Sequence, residues 1–470
     1  MNYLDYFKKL CEIPHGSGNI EKISKYLTDF ANELGLENYR DNTGNVVIIK
    51  EASKGREADE PIIIQGHMDM VAVKEEGALI DMTKDGLFLD TDGDFLFAKG
   101  TSLGGDDGIA VAYAMDLLSN DYNTPRIEAV ITVDEETGMD GAKAIDLSML
   151  KGHTMLNLDS EEEGIFLVGC AGGARVDFCY DLTGEPFIED KDNLKAYEIE
   201  IGGLLGGHSG TEIDKHRGNA IRIMCKILKK LFDAGMLQGI GNIKGGTADN
   251  VIAGNARALI LAKNIESEFF DMIKYESIVN YMAVEKNVCI TCKEKEKEGR
   301  FYPAGDFLHF LTSLPDGVMA MSEDVPGLVE TSLNHGTISM QDGKITIGIL
   351  LRSGKNNKRD ELIETLRDLT SVRPVSMTVY GEYNSWEYRQ DSPLRDRLVE
   401  IYEEMFKKKP LVQILHAGLE CGILTDKIPN LDCVSFGPNI YDIHSTKEKI
   451  SISSAERTWQ LILKFLSTAF

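Results

Sequence analysis

Short apolar runs rich in β-branched residues recur through the first third of this 470-residue chain, and they alternate with helix-like segments. The apolar runs cover residues 46–49, 61–64, 128–133 and 155–158. Between the second and the third, residues 109–118 place Ala, Met and Leu at helical spacing. This alternation predicts an α/β fold whose sheet is mostly parallel, with buried strands and flanking helices.

Five short motifs that carry acidic or histidine side chains follow apolar runs or open a helix. They are Gly-His-Met-Asp at 66–69, Gly-Asp-Asp-Gly at 105–108, Asp-Glu-Glu-Thr at 134–137, Leu-Asp-Ser-Glu at 158–161 and Asp-Ile-His-Ser at 442–445. In sheets of this kind, ligands collect beyond the carboxyl ends of the strands. Two imidazoles and three or more carboxylates gathered there would form a site for two divalent metal ions.

Each predicted ligand has a role that follows from its chemistry. A pair of ions about 3.5–4 Å apart needs one carboxylate that reaches both, and terminal ligands for each. Asp106 is the candidate for the shared carboxylate. His67 and His444 are candidates for single-ion ligands, and Glu136 and Asp159 for terminal carboxylates.

Two further acids lie beside the predicted ligands. His67 and Asp69 are two residues apart at a strand end, so their side chains emerge on one face, and Asp69 can accept the second imidazole N–H. Glu135 and Glu136 are adjacent and point in opposite directions in an extended segment. One of the two can bind metal while its neighbour serves as general base.

Each motif alone also has a plain structural explanation. Asp106 and Asp107 before a helix are typical of an N-cap, and residues 135–136 and 159–163 are typical of solvated turns and loops. A histidine such as His67 also occurs at strand ends without a metal. Their common order at the strand ends of one α/β pattern is what favours the metal site.

The pattern of predicted strands, helices and charged segments along the sequence predicts two domains, one of them discontinuous. From about residue 186, charged segments separate strands of period-two alternation such as 344–350 and helices such as 220–232, which indicates an α+β unit. After about residue 388 the helix-and-strand texture returns. His444 has to join residues near position 100, so we expect a catalytic domain formed by 1–185 and 389–470, interrupted by an insertion at 186–388.

The charge balance excludes some classes of partner. The chain has 76 acidic and 50 basic residues and a formal net charge of -26. Its field therefore repels nucleic acid and anionic lipid. Neither a leader-like start nor an apolar run of about 18 residues occurs in the sequence, so we expect a cytoplasmic protein without a membrane partner.

At its motifs the chain resembles the M20 metallopeptidase family, most closely its branch of cytosolic non-specific and aminoacyl-histidine dipeptidases. The resemblance runs essentially end to end. The motifs that carry it are Gln-Gly-His-Met-Asp-Met-Val at 65–71, Thr-Ser-Leu-Gly-Gly-Asp-Asp-Gly-Ile at 101–109, Glu-Glu-Thr-Gly-Met-Asp-Gly-Ala at 135–142, Asn-Leu-Asp-Ser-Glu-Glu-Glu-Gly at 157–164, Gly-Gly-His-Ser-Gly at 206–210, His-Ala-Gly-Leu-Glu-Cys-Gly at 416–422 and His-Ser at 444–445.

The resemblance implies a dipeptidase with two zinc ions, in which manganese or cobalt are alternative metals. It implies one ion held by His67, Asp106 and Asp159 and the other by Asp106, Glu136 and His444. Glu135 would be the general base and acid, and Asp69 would orient His67. The family's fold is a catalytic α/β domain interrupted by an α+β lid domain, which agrees with the texture of the sequence.

The resemblance also implies substrate-binding residues in the inserted segment. His208, by itself a turn histidine, would stabilise the developing oxyanion, often across a dimer interface, so we expect a homodimer. Arg352 interrupts an apolar strand and is either a surface-facing residue or a bidentate clamp on the substrate's C-terminal carboxylate. Asn250, Gly418 and Glu420 resemble other substrate-contacting positions.

Two motifs depart from the pattern of this branch, at three positions. Gly105 and Asp107 replace its more frequent alanine and asparagine, and Thr137 replaces an alanine. No predicted metal ligand is lost through these departures.

The sequence therefore predicts a dipeptidase that cleaves unblocked dipeptides, of the non-specific or Xaa-His type. The alternatives are a deacylase or aminotripeptidase of the same family, and a non-catalytic peptide-binding relative.

Overall fold

The computed structural model describes residues 1–188, 193–323, 325–371 and 374–468. Its helices are α1 Tyr3–Cys11, α2 Glu21–Glu33, α3 Gly105–Ser119, α4 Glu135–Gly138, α5 Asp140–Ala144, α6 Ala220–Asp233, α7 Ser267–Ile278, α8 Gly305–Ser313, α9 Asn356–Asp368, α10 Pro393–Phe406, α11 Glu420–Lys427 and α12 Ile452–Ser467. The strands of the first part are β1 Glu37–Arg40, β2 Val46–Lys50, β3 Ile62–His67, β4 Leu89–Asp92, β5 Phe95–Ala98, β6 Ile127–Thr132, β7 Thr154–Asn157, β8 Ile165–Cys170, β9 Gly172–Asp181, β10 Lys195–Gly202 and β11 Leu237–Gly245. The remaining strands are β12 Ala256–Ala262, β13 Cys289–Lys295, β14 Tyr302–Pro303, β15 Gly317–Met321, β16 Val329–Gln341, β17 Lys344–Ser353, β18 Val375–Tyr383, β19 Leu411–Leu415, β20 Asp432–Ser435, β21 Ile440–Tyr441 and β22 Lys449–Ser451.

The chain divides into two compact units, each with its own core. Unit 1 comprises Met1–Cys170, Tyr388–Ile414 and Leu419–Phe470. Unit 2 comprises Ala171–Glu387 and Leu415–Gly418. The sequence pattern predicts the first domain boundary after residue 185, whereas the two compact units divide after residue 170. The difference arises because β9, which lies between these two positions, pairs with β17 and β18 of unit 2.

Unit 1 contains an eight-stranded sheet in the order β1-β2-β6-β3-β7-β20-β8-β19. The four central strands β6, β3, β7 and β20 run parallel to one another. β2 is antiparallel to β6, and β8 is antiparallel to β20. The α/β fold class is therefore confirmed, although the strand predicted at 46–49 differs in direction from the parallel strands beside it.

The central strands of unit 1 are apolar because both of their faces are covered. Every residue of β3 and β6 is buried. Helix α3 is buried along nearly its whole length and contacts β3 and α1. Tyr113 of α3 stacks on Trp459 of α12 with ring centroids 5.5 Å apart. A helix enclosed in this way holds its first residues, which include Asp106, in a fixed position.

Unit 2 is built on a larger sheet with strand order β13-β10-β12-β11-β16-β17-β9-β18. All of its paired strands are antiparallel. Helices α6, α7 and α8 contribute to a separate apolar core with residues such as Phe178 and Phe310. This α+β architecture agrees with the texture of the inserted segment.

None of the helices within the described ranges has the length and apolar character needed to span a lipid bilayer.

Candidate metal centre

Three neighbouring parallel strands bring predicted site residues to one edge of the unit 1 sheet. His67 is the last residue of β3 and pairs in register with Thr132, the last residue of β6. Glu135 and Glu136 open the short helix α4 just after β6. Asp159 follows β7 by two residues. Because the carboxyl ends of parallel strands meet at one edge of a sheet, these side chains converge.

Two residues from other parts of unit 1 complete the cluster. Asp106 lies in the first turn of α3, and the peptide bond between Asp106 and Asp107 is cis. His444 follows β21 and has a positive φ of 59°. All five residues predicted as metal ligands are thus brought together within unit 1.

The two oxygens of the Asp106 carboxylate face different imidazoles. Oδ1 lies 3.3 Å from His67 Nε2, which is also 3.4 Å from Asp159 Oδ1. Oδ2 lies 3.2 Å from His444 Nε2, which is 2.9 Å from Glu136 Oε1. Asp106 therefore stands between two groups of donor atoms, one on each side of its carboxylate.

Asp107 is a candidate ligand that the sequence analysis did not assign. Candidate ligand atoms of His67, Asp107 and Asp159 all lie within 4.8 Å of one another, as do those of His67, Asp106 and Glu136. Asp107 Oδ2 accepts the backbone N–H of His67 at 3.3 Å. This approach depends on Gly66, since a Cβ there would lie 2.4 Å from Asp107 Oδ2. Such a packing relation leaves no signal in the sequence beyond the glycine itself.

The chemistry of the donor set fits divalent cations. Two imidazoles are surrounded by the five carboxyl groups of Asp106, Asp107, Glu135, Glu136 and Asp159, and most of this cluster is buried. Glu136 Oε1 is buried and accepts no hydrogen bond of suitable geometry from the described residues. Nitrogen and carboxylate oxygen donors are those that zinc and similar metals take.

The pKa values within the cluster show the effect of crowded negative charge. The carboxylates of Asp106 and Glu136 raise the pKa of His444 to about 10. Burial, together with repulsion from Asp106 and Glu136, raises the pKa of Asp159 to about 6 despite its contact with His67. Burial and the same kind of repulsion raise the pKa of Glu135 well above its ordinary value. Added positive charge would relieve this repulsion.

Asp69 contacts both His67 and the backbone of Glu135. His67 Nδ1 lies 3.0 Å from the backbone carbonyl oxygen of Asp69 and 3.5 Å from its Oδ1. The carboxylate accepts the Glu135 N–H through Oδ1 at 3.1 Å and the Ser17 hydroxyl through Oδ2 at 2.8 Å. The closer acceptor for the imidazole is therefore the carbonyl oxygen, while the carboxylate also holds the start of α4.

Glu420 lies behind this cluster and is fully buried. Its Oε2 accepts hydrogen bonds from Gln65 Nε2 and Thr132 Oγ1, both at 2.6 Å, and Gln65 Oε1 accepts from Asn157 Nδ2 at 2.5 Å. Burial raises the pKa of Glu420 to about 7. The residue predicted to contact substrate thus ties α11 to β3, β6 and β7. The only sequence signal of this network was polar residues at the ends of apolar strands, with Thr132 and Asn157 in the last position and Gln65 two positions before the end.

Within unit 2, Arg352 lies in a row of side chains that crosses four strands. It pairs in register with Ser332 of β16 and with Gly173 of β9, and Gly173 pairs with Tyr383 of β18. A Cβ on Gly173 would lie 2.7 Å from Tyr383 Oη, so the glycine makes room for the ring. Arg352 Nη1 donates to Tyr383 Oη at 3.0 Å. Neither Gly173 nor Tyr383 was assigned a role from the sequence.

Arg352 is a buried guanidinium for which the described residues offer no carboxylate partner. It is 5% exposed, its Nη1 donates to Tyr383 Oη, and its Nη2 lies 3.4 Å from His208 Nε2. Its Nε has no hydrogen-bond partner among the described residues. A buried charge of this kind is stabilised when an anion binds to it.

The hydrogen bonds of His208 determine which ring nitrogen carries its proton. Nδ1 accepts the backbone N–H groups of Gly210 at 3.3 Å and Thr211 at 3.2 Å. Burial and the charge of Arg352 lower the pKa of the imidazole. A neutral ring with an acceptor at Nδ1 carries its hydrogen on Nε2. His208 Nε2 is therefore a donor, and its 3.4 Å contact with Arg352 Nη2, which is also a donor, is not a hydrogen bond.

The other predicted residues of unit 2 lie beside this pair. The backbone oxygen of Asn250 accepts the Ser209 N–H at 2.9 Å. A Cβ on Gly418 would lie 2.7 Å from the Tyr383 ring. His416, which the sequence analysis left without a role, contacts Ser332 Oγ through Nε2 at 2.8 Å. Burial and nearby Arg352 lower the pKa of His416 to about 3, so it is neutral.

Comparison with known proteins agrees with the motif resemblance. The profile of peptidase family M20/M25/M40 matches residues 63–468. The cytosol non-specific dipeptidase of Escherichia coli K12 is 35% identical, over 98% of this chain and 96% of that protein. The crystal structure of aminoacylhistidine dipeptidase from Vibrio alginolyticus superimposes with a TM-score of 0.89 at 32% identity, covering 99% of this chain and 96% of that one. Aminopeptidase PepT from Bacillus cereus shares the fold, with a TM-score of 0.57 at 16% identity over 99% of this chain and 97% of that one.

Proposed function

We propose that this chain, which belongs to peptidase family M20/M25/M40, is a two-metal dipeptidase that hydrolyses dipeptides with free termini. The observation that carries this proposal is the position of Asp106, whose two oxygens lie 3.3 Å from His67 Nε2 and 3.2 Å from His444 Nε2. One carboxylate between two sets of nitrogen and oxygen donors is the arrangement that a pair of divalent ions requires. The names of the Escherichia coli and Vibrio relatives support dipeptides as the substrate class.

The five clustered residues would hold the metal pair. His67, Asp106 and Asp159 are suited to one ion, and Asp106, Glu136 and His444 to the other. When bound, two such ions supply Lewis acidity that activates a water molecule near neutral pH. The mixture of imidazole and carboxylate donors favours zinc, with manganese and cobalt as alternatives.

Glu135 is proposed to move the proton. It precedes Glu136, and its backbone N–H is fixed by Asp69 Oδ1. A Glu135 carboxylate oxygen would take a proton from the attacking water and then deliver it to the nitrogen of the leaving amine. Asp69 is proposed to orient both His67 and this base.

Residues of unit 2 are proposed to recognise the substrate. The buried guanidinium of Arg352, for which the described residues offer no carboxylate, supports binding of the C-terminal carboxylate, with Tyr383 holding its orientation. The Nε2–H of His208 supports donation to an oxygen that becomes negatively charged in the transition state. The close approach of Gly418 to Tyr383 and the backbone contact of Asn250 support a role for both in shaping this part of unit 2.

We also propose a homodimer in the cytoplasm. Four apolar side chains on α7 and the turn after it are exposed at helical spacing, namely Met272, Tyr275, Val279 and Met282. An apolar stripe of this kind is typical of a protein interface. The name of the Escherichia coli relative supports the cytoplasmic location.

Substitution of Glu135 tests the mechanism. We expect Glu135→Gln to lower kcat on dipeptides by roughly 100-fold or more while two ions per chain remain bound, because the amide cannot accept the proton. Metal content by mass spectrometry and initial rates with zinc, manganese and cobalt provide the readout. Glu162→Gln, at an exposed position of a neighbouring loop, is the matched control. Retained hydrolysis by Glu135→Gln would contradict the proposed role of Glu135 as general base and acid.

A substrate panel tests the reaction class and the role of Arg352. We expect the chain to cleave dipeptides far better than dipeptide amides, and Arg352→Met to lose roughly 100-fold in kcat/KM on the dipeptides only. Tripeptides and N-acyl amino acids complete the panel, together with Xaa-His and other dipeptides. Preference for tripeptides or acylated substrates would indicate a tripeptidase or deacylase. Metal-free, inactive protein of normal fold would indicate a peptide-binding relative.

Sedimentation velocity tests the dimer. We expect the wild-type chain to sediment as a dimer and Tyr275→Glu to shift it towards the monomer, because Tyr275 is 57% exposed in the centre of the stripe. An active wild-type chain that sediments only as a monomer would contradict the proposal.

A further inference from the structure

Glu448 is a buried acid next to the candidate metal centre, although it is not one of the candidate ligands. Its side chain is 3% exposed, and the described residues offer it no ion pair with lysine, arginine or histidine. Its four hydrogen-bond donors among the described residues are the backbone N–H groups of residues 103–106, a segment that ends a loop and begins α3. Oε2 accepts from Leu103 at 2.7 Å and Gly104 at 3.0 Å, and Oε1 accepts from Gly105 at 2.7 Å and, at the longer distance of 3.4 Å, Asp106.

The segment 103–106 comprises the last two residues before α3 and the first two residues of α3, and it is wrapped closely around the carboxylate. The first N–H groups of a helix have no partner inside the helix, and here they are buried. A carboxylate is suited to them because each of its oxygens accepts more than one hydrogen bond and its charge complements the helix dipole. Gly104 adopts a left-handed conformation with φ 69°, which turns the successive N–H groups towards Glu448.

Glu448 also connects two candidate ligands that are distant in sequence. Asp106 is the last residue of the wrapped segment 103–106 and the second residue of α3. His444 lies in the same short segment as Glu448, and this segment is closed by hydrogen bonds from the Glu448 N–H to the Ser445 carbonyl at 3.2 Å and from Ser445 Oγ to the Asp442 carbonyl at 2.6 Å. The distance of 3.2 Å between Asp106 Oδ2 and His444 Nε2 therefore depends on how these two segments are joined.

We propose that Glu448 is a positioning residue that sets the separation of Asp106 and His444, and thereby the affinity for the ion that these two residues hold with Glu136. This inference rests on the proposed two-metal function. Glu448 acts through the backbone of residues 103–106. The other ion is assigned to His67, Asp106 and Asp159, of which only Asp106 is positioned by Glu448. The affinity for that ion therefore depends less on Glu448.

The proposal requires a carboxylate of this length. In Glu448→Gln, an amide NH2 replaces one oxygen and faces backbone donors, so two N–H groups lose their acceptor. In Glu448→Asp, the charge remains but the oxygens are withdrawn by one methylene. Both substitutions are expected to release the loop without touching a candidate ligand.

Metal titration of the full chain provides the test. We expect metal-free Glu448→Gln and Glu448→Asp to bind one Zn²⁺ about 10–100-fold more weakly than the wild type, measured against a competing chelator, while the affinity for the other ion changes less than threefold. Asp432→Asn is the matched control. Asp432 is a buried carboxylate of unit 1 that accepts the Leu394 N–H at 3.0 Å and the Ser392 hydroxyl at 2.6 Å. It is the first residue of β20 and pairs with Thr154, the first residue of β7, so it lies at the sheet edge opposite the carboxyl ends of these strands. Its substitution is expected to leave both affinities unchanged.

Hydrogen exchange of the wild-type chain gives a second readout that does not depend on a variant folding. We expect the amides of residues 103–106 to be protected in the metal-free protein, since Glu448 already accepts them. Amide exchange that becomes slow only after Zn²⁺ is added would overturn the proposal. Glu448 variants that bind both ions equally more weakly, or that bind both with the wild-type affinity, would also overturn it. A wild-type chain that binds no ion would instead contradict the proposed function itself.

Discussion

At the scale of single residues, adjacent aspartates have different surroundings. The Asp106 carboxylate lies between two imidazoles, whereas Asp107 Oδ2 accepts the backbone N–H of His67. Motif order and metal chemistry predict Asp106 as the shared ligand, and this role stays a prediction, although its carboxylate does lie between the two imidazoles. The place of Asp107 was not predictable, because it depends on the close approach of two segments at Gly66.

Asp107→Asn is expected to retain both bound ions and a kcat within about threefold of the wild type. An amide oxygen can accept the His67 N–H in place of the carboxylate, and burial together with Asp159 raises the pKa of Asp107 well above its ordinary value. Metal content and steady-state rates of Asp107→Asn and Asp106→Asn provide the comparison, and only the second is expected to lose metal. Loss of an ion in Asp107→Asn would identify Asp107 as a ligand.

At the scale of secondary-structure elements, strand register decides which residues act together. Arg352 and Tyr383 belong to β17 and β18, which are separated by β9, and they meet across Gly173. The sequence predicted a strand at 344–350, within β17, and indicated Arg352 because it interrupts an apolar run. The sequence did not reveal the partner of Arg352, because register between distant strands is set by tertiary packing.

Gly173→Ala is expected to raise KM for dipeptides by roughly tenfold with a smaller change in kcat. The added Cβ would displace the Tyr383 ring and release Arg352 from its hydrogen bond. Gly202→Ala is the matched control in the same unit, because a Cβ there meets no atom within 4 Å. An unchanged KM in Gly173→Ala would show that the contact between Tyr383 and Arg352 does not support substrate binding.

Helix α11 depends on Glu420 for its attachment to the sheet. Glu420→Ala leaves the donors of Gln65 and Thr132 without their acceptor and opens a cavity, so we expect the free energy of unfolding to fall by about 2–4 kcal/mol. Urea unfolding measures this loss, and KM at a temperature well below the transition is expected to change less than twofold. A raised KM with unchanged stability would instead support the substrate contact predicted from the sequence.

At the scale of the whole molecule, two cores are formed by one interleaved chain. The return of the chain to the first unit was predictable, because His444 had to reach residues near position 100. The residue at which the first boundary falls was not predictable from the sequence. Strand β9 is apolar enough to belong to either unit, and only its pairing with β17 assigns it to unit 2. The two tryptophans, Trp459 in unit 1 and Trp386 in unit 2, are both buried and allow the units to be followed separately.

Unit 2 is expected to lose stability in acid because it buries a neutral histidine. Burial and nearby Arg222 lower the pKa of His335 to about 3, and its Nε2 lies 2.8 Å from the Pro315 carbonyl oxygen. Between about pH 6.5 and 3 the unfolded chain binds a proton at this residue and the folded chain does not. The free energy of unfolding therefore falls as pH falls through this window, by about 1.4 kcal/mol per pH unit for one histidine.

Urea unfolding followed by Trp386 fluorescence in a Trp459→Phe background measures this dependence. His335→Gln is expected to have a shallower slope of the free energy of unfolding between pH 6 and 4 than the parent chain. Equal slopes for His335→Gln and its parent would contradict the prediction.

The interleaved path of the chain has a consequence for biosynthesis. A ribosome completes His67, Asp106, Glu136 and Asp159 early, then makes the whole of the first segment of unit 2, and reaches His444 and Glu448 only afterwards. A nascent chain therefore carries an acidic, partly formed ligand cluster without its second imidazole. Under the proposed ligand assignment, tight capture of the metal pair is delayed until translation has passed residue 448, so that metal loading reports on the completeness of the newly made protein.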